Sequence, residues 1–205
     1  MKINKIHKLT DQKWLNLFVA EYTHDQHQGK WIYASRKLKQ YSKDDASEAV
    51  IIVPVLKQKD QPNRLVVIKE FRVPLGCYTY GFPAGLVDPG ETLESTIMRE
   101  MIEETGYEVS KINKVTKPLH SSMGLTDEAI TMAYVDVRAN QGAKPEPGED
   151  IEVLLLDFDA ACELCDNHDL PIDAKMWATL HMFQRLGKIE LCMMIITQYW
   201  FCAMI

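Results

Sequence analysis

The amino-acid sequence predicts an α+β sandwich, a mixed sheet layered with helices. Strand-like runs cluster as hairpins early in the chain, helices are set apart from them, and neither an internal repeat nor a low-complexity linker interrupts the pattern. Residues 14–22 and 30–37 are expected to be two strands, since β-branched and aromatic residues flank the polar stretch THDQHQG. The charged stretch 39–48 is expected to be a loop. The runs AVIIVPVL at 49–56 and RLVVIKEFR at 64–72 read as buried strands separated by KQKDQPN, and 78–82 adds a short one. From 92 to 105 the apolar period turns helical, with Leu93, Ile97 and Met101 on one stripe, and Gly106 is the expected C-cap. Strands follow at 129–137 and 151–156 around the Pro- and Gly-rich loop QGAKPEPGED. Helices at 159–165 and 173–186 close the domain.

These elements divide the chain into N-terminal strands over 1–47, a main domain over 48–190, and a tail over 191–205. The tail carries 13 apolar residues of 15. A bilayer-spanning helix needs about 20 apolar residues, so the tail is not expected to cross a membrane. A formal charge of -6 excludes a protein that grips nucleic acid by general phosphate neutralisation. A small anionic substrate would have to be met by metal ions and a few local cations. The five cysteines form an odd set behind a polar N-terminus, which points to reduced thiols and a cytoplasmic protein. Cys162 and Cys165 with His168 suggest zinc, but no second ligand pair at suitable spacing accompanies them.

The chemistry is concentrated in residues 85–107, GLVDPGETLESTIMREMIEETGY. Glu100 and Glu104 are four apart, a spacing that turns only about 40° around an α-helix, so both carboxylates project from one face. Glu103 lies on the other side of Glu100. Like charges this close destabilise a helix and raise one another's pKa unless an oxygen-seeking divalent cation offsets them. Arg99, one turn before Glu103, is placed to pair with it. A solvated acidic helix face is the bland alternative, and composition alone favours it.

The full arrangement favours the other reading. Gly85, Glu91, Arg99, Glu100, Met101, Glu103, Glu104, Gly106 and Tyr107 match the Nudix box, with Tyr107 standing where an aliphatic residue is usual. So long a gapped match is far more specific than a short motif. The resemblance implies a Nudix fold, an α/β/α sandwich with a mixed sheet, here extended by an N-terminal β-hairpin. It also implies that Glu100 and Glu104 bind Mg²⁺ (Mn²⁺ being the alternative) with the main-chain carbonyl of Ala84. Glu103 would join the ligand shell or its hydrogen bonds, and Arg99 would orient the glutamates.

Over residues 13–188 the chain is most similar to the ADP-ribose and nucleoside diphosphate sugar pyrophosphatases, through FPAGLVDPGET, IKEFRVPLG, GEDIEV, LPIDAKMW and KWIYASRK. That branch implies Trp31 as a platform for the base, with Trp14 a weaker candidate, and Arg36 and Arg72 as diphosphate-facing cations. Each Trp has a structural alternative as a core or interface aromatic. Glu149 matches a mobile catalytic glutamate, with Glu152 second, and Leu125 a substrate contact. Met123 stands where ADP-ribose enzymes usually carry Pro, which leaves another nucleotide sugar as good a fit. The branch further implies a homodimer that exchanges its N-terminal strands. The expected reaction is hydrolysis of a nucleoside diphosphate sugar to a nucleoside monophosphate and a sugar phosphate. The rival readings are another Nudix specificity, for oxidised nucleoside triphosphates or capped RNA, and a non-catalytic nucleotide-sugar sensor.

Overall fold

The structure is a computed structural model and describes residues 1–37, 47–139, 142–144 and 148–190. The apolar tail and most of the charged stretch expected as a loop lie outside the described residues. The chain divides into two compact units, one of Met1–Ala49 with Thr116–Thr131, the other of Val50–Val115 with Met132–Ile205. The sequence divides the chain after residues 47 and 190; the first unit also takes in the later segment Thr116–Thr131.

The first unit is built on an antiparallel sheet of β1 (Lys2–Lys8), β2 (Asn16–His24) and β3 (His27–Ser35), in that order. The hairpin expected from the sequence is present but tighter than expected. Both strands run into the predicted seven-residue loop and leave a two-residue turn in which Asp25 takes a φ of 56°. Such a left-handed residue is tolerated by Asp better than by most side chains. Trp14, placed by the sequence in the first strand, lies before β2 instead.

The second unit holds most of the larger sheet. Its strands are β4 (Ala49–Leu56), β5 (Arg64–Arg72), β6 (Cys77–Gly81), β7 (Ala84–Leu86), β8 (Tyr107–Val115), and, after the short β9 (Leu119–His120), β10 (Ala129–Ala139) and β11 (Ile151–Leu156). The central order is β11-β5-β4-β10-β8, with β6 added on β5 and β7 on β4. Among the described residues three α-helices accompany it: α1 (Leu93–Glu100), α2 (Phe158–Asp166) and α3 (Ala174–Leu186).

Continuous apolar runs in β4 and β5 are what a sheet covered on both faces requires. Val50, Ile52, Leu56 and Val66 pack with Ile97 and Met101 of the α1 segment and with Ala133, Val135 and Val137 of β10. Val53, Val55, Leu65 and Val67 alternate with them and are equally buried on the opposite face. α2 packs on β11 and α3 packs on α2, and Met176, Leu180 and Phe183 of α3 are buried. The layering is the helix, sheet, helix order expected.

One element departs from expectation where it matters. The helix begins at Leu93 behind a Thr92 cap whose hydroxyl accepts from the Ser95 N–H, but its α-helical part ends at Glu100. Met101–Thr105 form a wider π turn, closed by Gly106 at φ 72°. The Thr105 hydroxyl donates to the Met101 carbonyl, taking the acceptor that a regular α-helix would offer to the Thr105 N–H. Such widened turns are frequent at functional sites.

Candidate active site

The second unit sets several glutamates on and beside this helix. Glu100 and Glu104 are 8% and 4% exposed, unusual for carboxylates. Burial pushes the Glu104 carboxyl up to about 8, against the Ala84 N–H that donates to its Oε2 at 3.0 Å and holds it down; Glu100, Glu149 and Glu70 raise it further. Glu100 is also raised, by burial first, with Arg99 opposing and Glu103 and Glu149 adding to the rise. Two buried carboxylates that repel each other and further glutamates are short of positive charge.

Arg99 supplies part of it. Its Nε and Nη2 grip Glu91 in a fork at 3.0 and 2.9 Å, Nη1 donates to Glu100 at 2.7 Å and Glu103 at 3.1 Å, and Nη2 also reaches the Leu86 carbonyl at 3.2 Å. All five guanidinium N–H groups are thereby used, which only arginine can do. Helical spacing pairs Arg99 with Glu103; the structure keeps that contact and makes Glu91 the two-point partner. With Arg99 and the Thr96 hydroxyl donating to it, Glu91 is held down at about 2. Arg99 therefore fixes the first half of the box to the second.

Gly85 is required by contact. A Cβ there would fall on the Glu100 carboxylate, so any side chain at this position would have to displace that carboxylate. Ala84, expected to offer its carbonyl to a metal, is placed against Glu104 by its N–H.

Glu70 joins this site although no motif pointed to it. In β5 its partners are Ile151 of β11 and Thr79 of β6, and it adds to the rise at Glu104. Its own carboxyl is raised by burial, with Arg72 opposing and Glu149 adding to it. Arg72 Nη2 lies 2.8 Å from Glu70, so the arginine proposed to face a diphosphate is held at the edge of the acidic cluster. The signal was available: strand alternation puts Glu70 and Arg72 on one face of IKEFR. The charge of Glu149 adds to the raised carboxyls of Glu70, Glu100 and Glu104, whereas Glu152 pairs with Lys69 at 3.1 Å.

The donor set suits a hard divalent cation, since it consists of carboxylate oxygens lacking counter-charge. Among the described residues no group of three or more acidic, His or Cys side chains is placed to hold a metal ion by itself. Magnesium does not need one, as it takes one or two carboxylates, waters and substrate phosphate. Cys162 and Cys165 sit on α2 as free thiols.

The first unit carries the other residues singled out. Trp31, Tyr33, His120, Met123, Thr126 and Asp127 line a cleft of about 250 Å³. The Trp31 indole N–H donates to the Gly124 carbonyl at 3.0 Å, which fixes a ring that is still half exposed. Arg36 pairs with Glu128, and the Leu125 carbonyl accepts from the Ala34 N–H at 2.9 Å while its side chain faces solvent. Trp14 is 71% exposed with the Lys13 ammonium 4.2 Å above its ring, which rules out the core aromatic reading.

Comparison with known proteins agrees with the fold. The model of the NUDIX domain matches residues 46–180. A nudix hydrolase of Caenorhabditis elegans is 32% identical over 77% of this chain and 72% of its own length. The ADP-sugar pyrophosphatase of Mus musculus is 32% identical over 66% of each chain, and the ADP-ribose pyrophosphatase of Bacillus subtilis 33% over 60% of this chain and 66% of its own. A crystal structure of an ADP compounds hydrolase superposes with a TM-score of 0.66 at 19% identity, covering 90% of this chain and 92% of that one. The chain belongs to the Nudix hydrolase family.

Proposed function

We propose that this protein is a magnesium-dependent hydrolase of the diphosphate bond in nucleoside diphosphate sugars, ADP-ribose or a close analogue, releasing a nucleoside monophosphate and a sugar phosphate. The observation that carries the reading is the burial of Glu100 and Glu104 beside Glu70 and Glu149 with too little positive charge to balance them. Relatives named as ADP-sugar, ADP-ribose and GDP-mannose pyrophosphatases support the substrate class.

Glu100 and Glu104 would hold the cation with the Ala84 carbonyl and with Glu103 nearby. Bound there, magnesium would offset the diphosphate charge and lower the pKa of water. Glu149 accepts the proton as water attacks one phosphorus; the new P–O bond forms while the bridging P–O bond breaks, and the leaving phosphate takes the electron pair. Arg99 keeps Glu100 and Glu103 in position. Arg72 and Arg36 exchange their carboxylate partners for diphosphate oxygens, which a planar guanidinium fits in two-point fashion. Trp31 stacks the base, with Leu125 beside it and Trp14 a second candidate platform.

We further propose a cytoplasmic homodimer. Strand alternation sets Leu17 and Ile32 on one face of the three-stranded sheet, both well exposed, and Trp14 is exposed nearby in sequence. No helix among the described residues is long and apolar enough to cross a membrane.

Turnover of ADP-ribose, UDP-glucose and GDP-mannose, with an oxidised nucleoside triphosphate and a capped RNA as rivals, tests the reading. Cleavage of a diphosphate sugar in Mg²⁺ and none in a chelator is expected. Preference for the triphosphate or capped RNA overturns the substrate class, and no turnover of any compound turns the protein into a binding module.

A further inference from the structure

The residues flanking Glu149 form a clasp that the reaction as described does not use. The β5–β11 ladder pairs Ile151 with Glu70, and the Phe71 N–H donates to the Asp150 carbonyl at 3.2 Å, extending the pairing by one residue. Side chains alternate along such a ladder, so Asp150 falls on the face of Phe71 and Glu149 on the face of Glu70 and Arg72. On the first of these faces Tyr78, the β6 partner of Phe71, donates its hydroxyl to Asp150 Oδ2. The Tyr78 ring is itself held: the Phe71 ring meets it edge-on at 5.3 Å, and the Lys69 ammonium lies 5.3 Å from its centre while pairing with Glu152 at 3.1 Å.

We propose that the Tyr78–Asp150 hydrogen bond is a positioning device for the loop carboxylate. By pinning Asp150 to one face of the sheet it directs the adjacent Glu149 to the other, where Glu70, Glu100 and Glu104 stand. The reason is local geometry. Neighbouring residues in extended backbone point in opposite directions, so fixing one side chain fixes the orientation of the next. Ångström-scale misplacement of a reacting group costs on the order of 100-fold in rate, which makes such a clasp worth having. Tyr78 and Asp150 touch neither substrate nor cation in this scheme; they act through Glu149.

The inference rests on the assignment of Glu149 as the proton acceptor, and its test separates the two. Wild type, Y78F, D150A, D150N, E149Q and the Y78F/E149Q pair are assayed with ADP-ribose and Mg²⁺, alongside amide hydrogen exchange of residues 148–151. Y78F and D150A are expected to lower kcat by roughly 10-fold to 100-fold with KM changed by no more than about twofold, and to speed exchange at Asp150 and Ile151. D150N, whose amide oxygen still accepts from the Tyr78 hydroxyl, is expected to retain most of what D150A loses. In the E149Q background Y78F should slow the reaction no further, since residues acting as a unit are not additive. Wild-type kcat in Y78F while E149Q is slow overturns the clasp and leaves the role of Glu149 standing. The same fold-loss from Y78F in both backgrounds also overturns it. Wild-type kcat in E149Q removes the role of Glu149 and the clasp with it.

Discussion

At the scale of single residues, Glu104 is the most exposed to test because its surroundings are so unfavourable to charge. Glu104→Gln keeps the size and an oxygen for the Ala84 N–H but cannot become an anionic ligand, so the fold is expected to stand while Mg²⁺-dependent turnover falls roughly 100-fold or more. Near-normal kcat in steady-state assays refutes the ligand assignment. Arg99→Lys replaces five forked donors with three on a single nitrogen and cannot bridge Glu91, Glu100 and Glu103 together. Weaker divalent-ion binding, by roughly 10-fold to 100-fold in calorimetric titration, is expected, as for other groups that orient metal ligands. Unchanged affinity would mean that the arginine serves the helix alone.

The elements explain why these residues meet. The box helix needs its Thr92 cap, its π turn and the bare backbone of Gly85. Thr92→Ala should cost about 1 kcal/mol in denaturant unfolding, with turnover of the folded protein kept. Gly85→Ala should do the reverse of that pattern, displacing the Glu100 carboxylate and lowering activity far more than stability. Most of this was legible beforehand: apolar runs marked β4, β5 and β10, the helical period marked α1, and the spacing of the box pointed to Glu100 and Glu104. What was missed has physical causes. The edge strand β1, KINKIHK, interleaves isoleucines with lysines, as exposed edges do, and its pairing with β2 shifts register between Ile3 and Lys5. In β8 the spacing of Tyr107, Val109 and Ile112 breaks from two to three because the ladder to β10 shifts register twice. Glu70 escaped because strand alternation sets it beside Arg72 but does not reveal that this face of β5 meets the box glutamates, whose carboxyls it helps to raise. The π turn depends on a threonine hydroxyl capturing a carbonyl, which no apolar period records.

For the molecule as a whole, the acidic cluster links stability to pH and to metal. Burial pushes the Glu104 carboxyl up to about 8 in the fold from an ordinary 4.5, so the folded chain holds a proton that the unfolded chain has lost between those values. Its contribution is therefore fully present below about pH 4.5 and lost as pH rises through about 8. Thermal unfolding of metal-free protein is expected to show a lower Tm at about pH 9 than at about pH 6, and E104Q to shrink that difference. Magnesium should raise Tm more at the alkaline end, where the carboxylate is ready to bind it. At the same scale, light scattering should find a dimer that L17E/I32E converts to a monomer with intact secondary structure; a wild-type monomer would remove the proposed assembly.

The measurement closest to the central claim is titration of the protein with Mn²⁺, followed by the paramagnetic resonance signal of the free ion, in wild type and E104Q. Saturable binding to wild type that weakens at least about tenfold in the variant is the predicted result. Equal binding by both proteins, or none by either, would contradict the account.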